Sequence, residues 1–142
     1  MKWCVVNVMM GLFVVFMLSL TGCGGGSDKN AVQTTPAISA LQFTPSTLTV
    51  NTLTNVNWQF DFSDAGGDIS TGTYTVFNPG GVQVDTKTIN LAIPAGIKAG
   101  TQSGTTSNVT FLTAGAYTAN MYVTDSAGAN SNTLTATFTI VP

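Results

Sequence analysis

The stretch Ala116-Tyr117-Thr118-Ala119-Asn120-Met121-Tyr122-Val123-Thr124 alternates strictly between apolar and mostly polar positions. Tyr117, Ala119, Met121 and Val123 fall on one face; Thr118, Asn120, Tyr122 and Thr124 fall on the other. That is the two-residue period of a half-buried β-strand. After the turn-rich Asp125-Ser126-Ala127-Gly128-Ala129-Asn130-Ser131-Asn132, Thr133–Val141 repeats the pattern, with Leu134, Ala136, Phe138 and Ile140 inward and Thr135, Thr137 and Thr139 outward. The pair predicts a hairpin. Upstream, Asn55–Phe62 turns Val56, Trp58, Phe60 and Phe62 inward and Asn57, Gln59 and Asp61 outward. Weaker strands are expected at Ser39–Phe43, Thr47–Val50, Thr73–Phe77, Val82–Ile89 and Ser107–Leu112. Asn78-Pro79-Gly80-Gly81 fits a type II turn joining the fourth and fifth of these eight, with Pro second and Gly third. No helical periodicity lasts more than a turn. The expectation is an all-β, antiparallel β-sandwich of seven or eight short strands over residues 37–142.

Composition narrows the chemistry. The 142 residues include four Lys and six Asp but no Glu, Arg or His, a charged fraction of 7%. Ordinary soluble domains carry roughly 25%. Without His there is no imidazole base, no Ser-His-Asp or Cys-His pair and no His metal ligand. Without Arg there is no bidentate phosphate clamp. The net charge of −2 offers no basic face for nucleic acid. Lys87 and Lys98 serve as bases only if buried, Gly24–Gly26 follows no strand and precedes no helix, and the Asn108-Val109-Thr110 sequon has meaning only where a glycosylation machinery reads it. These features predict a protein that is not an enzyme.

The first 22 residues differ from the rest. Sixteen of them are apolar, and Lys2 is their only charged side chain. The apolar run Val8–Leu20 covers 13 residues, too few for a spanning helix, which needs about 20, but the length of a signal-peptide core helix. Leu20-Thr21-Gly22-Cys23 closes the run. This resembles the lipobox of bacterial lipoprotein signal peptides. The resemblance implies cleavage between Gly22 and Cys23, a diacylglycerol on the Cys23 thiol, and acylation (palmitate-type) of its new amino group. Lipid chains contribute about 0.8 kcal/mol per buried methylene, so they anchor the chain to a bilayer. Gly24, in place of an Asp after the lipidated Cys, implies the outer membrane rather than the inner, with periplasmic face and cell surface both open. Cys4 leaves with the signal, so no intramolecular disulfide forms. Residues 23–36 then read as the lipidated Cys and a flexible linker; the linker, 24–36, reaches about 20 Å root-mean-square.

Two local patterns refine the sandwich. Ala114-Gly115-Ala116-Tyr117, just before the penultimate strand, resembles the tyrosine corner of immunoglobulin-like folds. Asp61-Phe62-Ser63-Asp64-Ala65-Gly66-Gly67-Asp68-Ile69, Gly115-Ala116-Tyr117 and Val123-Thr124-Asp125-Ser126-Ala127-Gly128 are similar to segments of polycystic kidney disease (PKD) domains and related bacterial Ig-like modules. The resemblance covers about residues 37–142 and implies an Ig-like sandwich of PKD or fibronectin-III type. Tyr74-Thr75-Val76-Phe77 replaces the usual Trp-x-x-Gly-Asp-Gly, and Trp58 lies one strand early, so the chain is PKD-related rather than a true PKD repeat.

Candidate sites follow. Asp61, Asp64 and Asp68 fall within eight residues, and Asp125 lies in a loop expected at the same end of a sandwich. A Ca²⁺ ion needs six to eight oxygens, and these carboxylates are its candidate ligands, against the ordinary role of Asp as a turn former. Tyr122 and Phe77 are candidate stacking residues for carbohydrate, whereas Trp58 reads as core. The leading expectation is a non-catalytic, lipid-anchored module that presents its domain to another envelope protein. The alternatives are a carbohydrate- or Ca²⁺-binding module and a subunit that assembles by strand-edge pairing. An aromatic row beside a groove would favour the binder; a polar Thr/Asn face with a bare edge strand would favour the protein partner.

Overall fold

The computed structural model describes residues 34–142. The expected signal peptide, the lipobox-like Gly22 and Cys23, and most of the expected linker lie outside the described residues. Eight strands follow one another: β1 Ala37–Thr44, β2 Thr47–Thr49, β3 Thr54–Ser63, β4 Ile69–Phe77, β5 Gln83–Asn90, β6 Ala99–Val109, β7 Gly115–Asp125 and β8 Leu134–Val141. They form two sheets, one ordered β1-β3-β6 and the other β2-β8-β7-β4-β5. All pairings are antiparallel except β2 with β8. A three-stranded sheet over a five-stranded one, with the first strand split between them, is an immunoglobulin-like sandwich. The corner predicted at Tyr117 is present: its hydroxyl donates to the Thr113 carbonyl at 3.1 Å.

The alternation read from the sequence sets the core. Tyr117, Ala119, Met121 and Val123 of β7 are buried, as are Phe138 and Ile140 of β8 and Phe60 and Phe62 of β3. Burying one such side chain stabilises the fold by about 1.5–3 kcal/mol. The core has two parts. One gathers Ile38, Phe60, Phe62, Ile69, Leu91 and Val123; the other gathers Leu48, Val76, Tyr117, Phe138 and Ile140.

Three expectations are corrected. The sixth strand is not Ser107–Leu112 but Ala99–Val109, and Phe111 and Leu112 lie beyond it. Its inward positions are Gly100, Gln102, Gly104 and Thr106, which pair with Phe62, Phe60, Trp58 and Val56 of β3. The bulk comes from β3: a Cβ added at Gly104 would lie 2.2 Å from the Trp58 ring. A strand that lends no apolar bulk shows no apolar period. The fourth strand begins at Ile69, earlier than Thr73; at its inward position Gly72 packs against Met121 and Leu91 with no side chain of its own, which breaks the apolar alternation. The β4–β5 turn is not type II. Gly81 N donates to Asn78 O at 2.9 Å, but the residue with positive φ is Gly81 (+75°), not Gly80. That is a type I turn followed by a left-handed glycine, a form that matches the twist of a hairpin. Asn78 Oδ1 holds it by accepting from Gly80 N and Val82 N, both at 3.0 Å.

Candidate functional site

The four predicted aspartates separate. Asp64, Asp68 and Asp125 meet at one end of the sandwich, while Asp61 stands on the outer face of β3 and accepts from Thr101 Oγ1 at 2.6 Å. Asp64 is buried directly after β3. Its Oδ1 accepts from Gly66 N at 3.1 Å and Thr34 Oγ1 at 3.3 Å, and its Oδ2 accepts from Asp68 N at 2.9 Å. Burial pushes its pKa up, but the hydrogen bonds from Asp68, Gly66 and Thr34 outweigh burial and hold it below the ordinary aspartate value. Asp125 is buried at the end of β7, and its Oδ1 accepts from Ala127 N at 3.0 Å and Ala129 N at 2.7 Å. Asp68 joins the two loops: its carboxylate accepts from the Ser126 hydroxyl, and its carbonyl accepts from Ser126 N at 3.0 Å. The carboxylate oxygens of Asp64 and Asp125 thus point at the N–H groups of their own turns, as turn-closing Asp side chains do. Among the described residues no group of three or more His, Cys, Asp or Glu converges on a point that could hold a metal.

The stacking candidates also separate. Tyr122 faces outward from β7 opposite Thr73, and Phe77 faces outward at the far end of β4 opposite Thr118. Four residues of strand between the two registers correspond to about 13 Å. Between and around them the outer face is Thr: Thr71, Thr73 and Thr75 on β4, Thr86 and Thr88 on β5, and Thr135, Thr137 and Thr139 on β8. The hydroxyls of Thr73 and Thr88 lie 2.9 Å apart, and those of Thr75 and Thr86 3.2 Å. The surface is a polar coat with an aromatic at either end, not an aromatic row.

A different feature is an opening on one side of the domain. Between β5 and β6, where no strand joins the two sheets, a cleft of about 490 Å³ enters the core. That volume lies within the roughly 300–1,000 Å³ of ligand sites. Six rings line it: Phe43, Trp58, Tyr74, Phe111, Tyr117 and Phe138. Phe111 and Tyr117 meet edge-on at 4.9 Å between centroids, and Tyr117 stacks on Phe138 at 5.6 Å. Trp58, expected as core, is half-buried and forms one wall of the cleft. At the mouth stand Val84, 51% exposed, and Leu112, 78% exposed. The single charged lining group is Asp85. Burial and the neighbouring Asp85 charge raise the pKa of the Tyr74 hydroxyl. The sequence did contain a signal for the cleft: large rings at Trp58 and Phe60 on one strand, with no apolar partner on the strand beside it.

No protein-family model matches the chain, and no curated protein matches it in sequence. Solved structures do match. The Pseudomonas fluorescens alkylpurine DNA glycosylase AlkC, bound to DNA containing an abasic site analog, superposes with a TM-score of 0.50 at 13% identity over 75% of this chain. This chain spans only 30% of the glycosylase chain, so the likeness is one of fold alone. An immunoglobulin-like protein from Pseudomonas aeruginosa gives 0.43 at 12% identity, covering 77% of this chain and 98% of that one. The PKD domain of an M14-like peptidase from a Thermoplasmatales archaeon gives 0.42 at 18% identity, covering 76% and 94%.

Proposed function

We propose that this chain is a lipid-anchored envelope protein whose Ig-like domain is a non-catalytic interaction module. The observation that carries the interaction role is the unclosed side of the sandwich: an aromatic-lined cleft flanked by two edge strands, beside outer faces that are polar and almost uncharged. This is the combination expected for a protein partner, with a bare edge and no surface aromatic row. The anchor is supported by Leu20-Thr21-Gly22-Cys23 and by Cys23 being the only cysteine that survives cleavage. The outer membrane is the expected site of the anchor. Cys23→Ala is expected to release the protein from membranes; membrane retention at the wild-type level would overturn the anchor. For the interaction role, photocrosslinkers at Leu112 and at Thr137 in the native envelope test the two surfaces. A discrete crosslinked product from either position supports the module, and its absence from both overturns it.

A ligand-binding role is the second reading, favoured by the volume and rings of the cleft. Titration of Trp58 fluorescence with a panel of oligosaccharides tests it.

A further inference from the structure

Each sheet has two edges, and three of the four are blunted by the chain itself. At β1, Ala40 adopts φ +55° and the register slips between Ser39 and Gln42. There the Asn132 side chain acts as a stand-in strand: its Oδ1 accepts from Ile38 N at 2.8 Å, and its Nδ2 donates to Ile38 O at 2.9 Å. β2 is three residues long. On β5 the register sets Asp85 opposite Val76 and Lys87 opposite Tyr74, so both charges lie on the inward-facing side of an edge strand. Bulges, shortness and inward charges are the usual guards against strand addition. β6 has none of these from Ala99 to Thr106; its one bulge, with Asn108 at φ +58°, lies near its C-terminal end. It runs for eleven residues with no charge and no Pro, and among the described residues only β3 pairs with it. From within the strand, one side chain bonds its backbone, Gln102 Nε2 to Ser103 O at 3.1 Å.

We propose that the free edge of β6 receives an extended strand of a partner polypeptide, which lengthens the three-stranded sheet and lays its inward side chains over the cleft. This rests on the interaction-module reading and names the partner's chemistry. The unpaired N–H and C=O groups of an edge call for another extended backbone. The cleft then selects among backbones. A second copy of β6 would bring only Gly100, Gln102, Gly104 and Thr106 inward and leave the rings uncovered. The fitting strand carries apolar side chains at alternate positions. Asp85, the lone charge in the lining, favours a Lys or Arg where that strand passes the mouth.

The test is amide hydrogen exchange on the full chain with a synthetic peptide that alternates Val and Thr and ends in Lys. The control is the same peptide N-methylated on alternate amides, so that one backbone edge cannot pair. The expected result is exchange slowed about tenfold or more within residues 99–109 by the first peptide only. Thr106→Lys, which places a charge inward as β5 already does, is expected to abolish that slowing while β7 exchanges as before. Equal effects of both peptides, or no slowing in β6, would overturn strand addition. So would light scattering that shows the full chain pairing with itself through β6. The interaction reading fails separately: it falls only if neither Leu112 nor Thr137 crosslinks in the envelope.

Discussion

On the side where β1 faces β8, the sandwich is sewn shut by polar side chains. Asn132 pairs with the Ile38 backbone, and at the adjoining end Asp64 and Asp125 saturate the turns that leave β3 and β7. On the side where β5 faces β6 no such side-chain stitching is found among the described residues, and rings line an open cleft. The two sides differ in what fills the space between the sheets. Near β1 both sheets contribute, with Ile38 meeting Val123 and Phe60 in one cluster. Near β6 one strand supplies the bulk and its neighbour supplies glycines. Closure therefore depends on hydrogen bonds on one side and on an occupant on the other.

The comparison can be broken from either side. Asp125→Ala would leave the N–H groups of Ala127 and Ala129 without their acceptor, and is expected to cost about 2–4 kcal/mol of stability, read by chemical denaturation. Gly104→Ala forces a Cβ into the Trp58 ring and is expected to cost about 1–3 kcal/mol, with a change in Trp58 fluorescence as the cleft wall moves. Tyr117→Phe removes one bond to Thr113 O and should cost about 1 kcal/mol. Leu112→Ser at the cleft mouth should change stability by less than about 0.5 kcal/mol, because the side chain is already in water. If Leu112→Ser cost as much as Asp125→Ala, the open side would not be open.

Acidity probes the stitched side. The folded pKa of Asp64 is below its ordinary value near 3.8, so its ionised form stabilises the fold. That contribution is fully present above the unfolded pKa and is lost as pH falls from there through the folded pKa. A melting temperature that declines below about pH 4, with a weaker decline in Asp64→Asn, is the expected outcome.

Strands β3, β7 and β8 were legible in the sequence because each carries its own apolar face, and hydrophobic burial writes itself as a period of two. The corner at Tyr117 was legible because its side chain bonds within the local chain. β6 was misplaced because its partner fills its side of the core, a property of the pair and not of either strand. The acidic end was half legible. That the loops after β3 and β7 share one end followed from sandwich topology; that Asp68 meets Ser126 there did not. The hydrogen bonds that Asp64 and Asp125 accept depend on where the backbone turns, which composition does not state. Of the cleft, only the unmatched rings of β3 were legible; its place was not, because it lies where no strand joins β5 to β6.

The Thr coat bears on how the domain meets its solvent. Hydroxyls, not ions, cover the five-stranded face, and Asn57, Gln59, Ser103 and Thr105 do the same on the other sheet. Ionic strength has little there to screen. At dilute to moderate salt the domain's solubility should therefore change little with ionic strength.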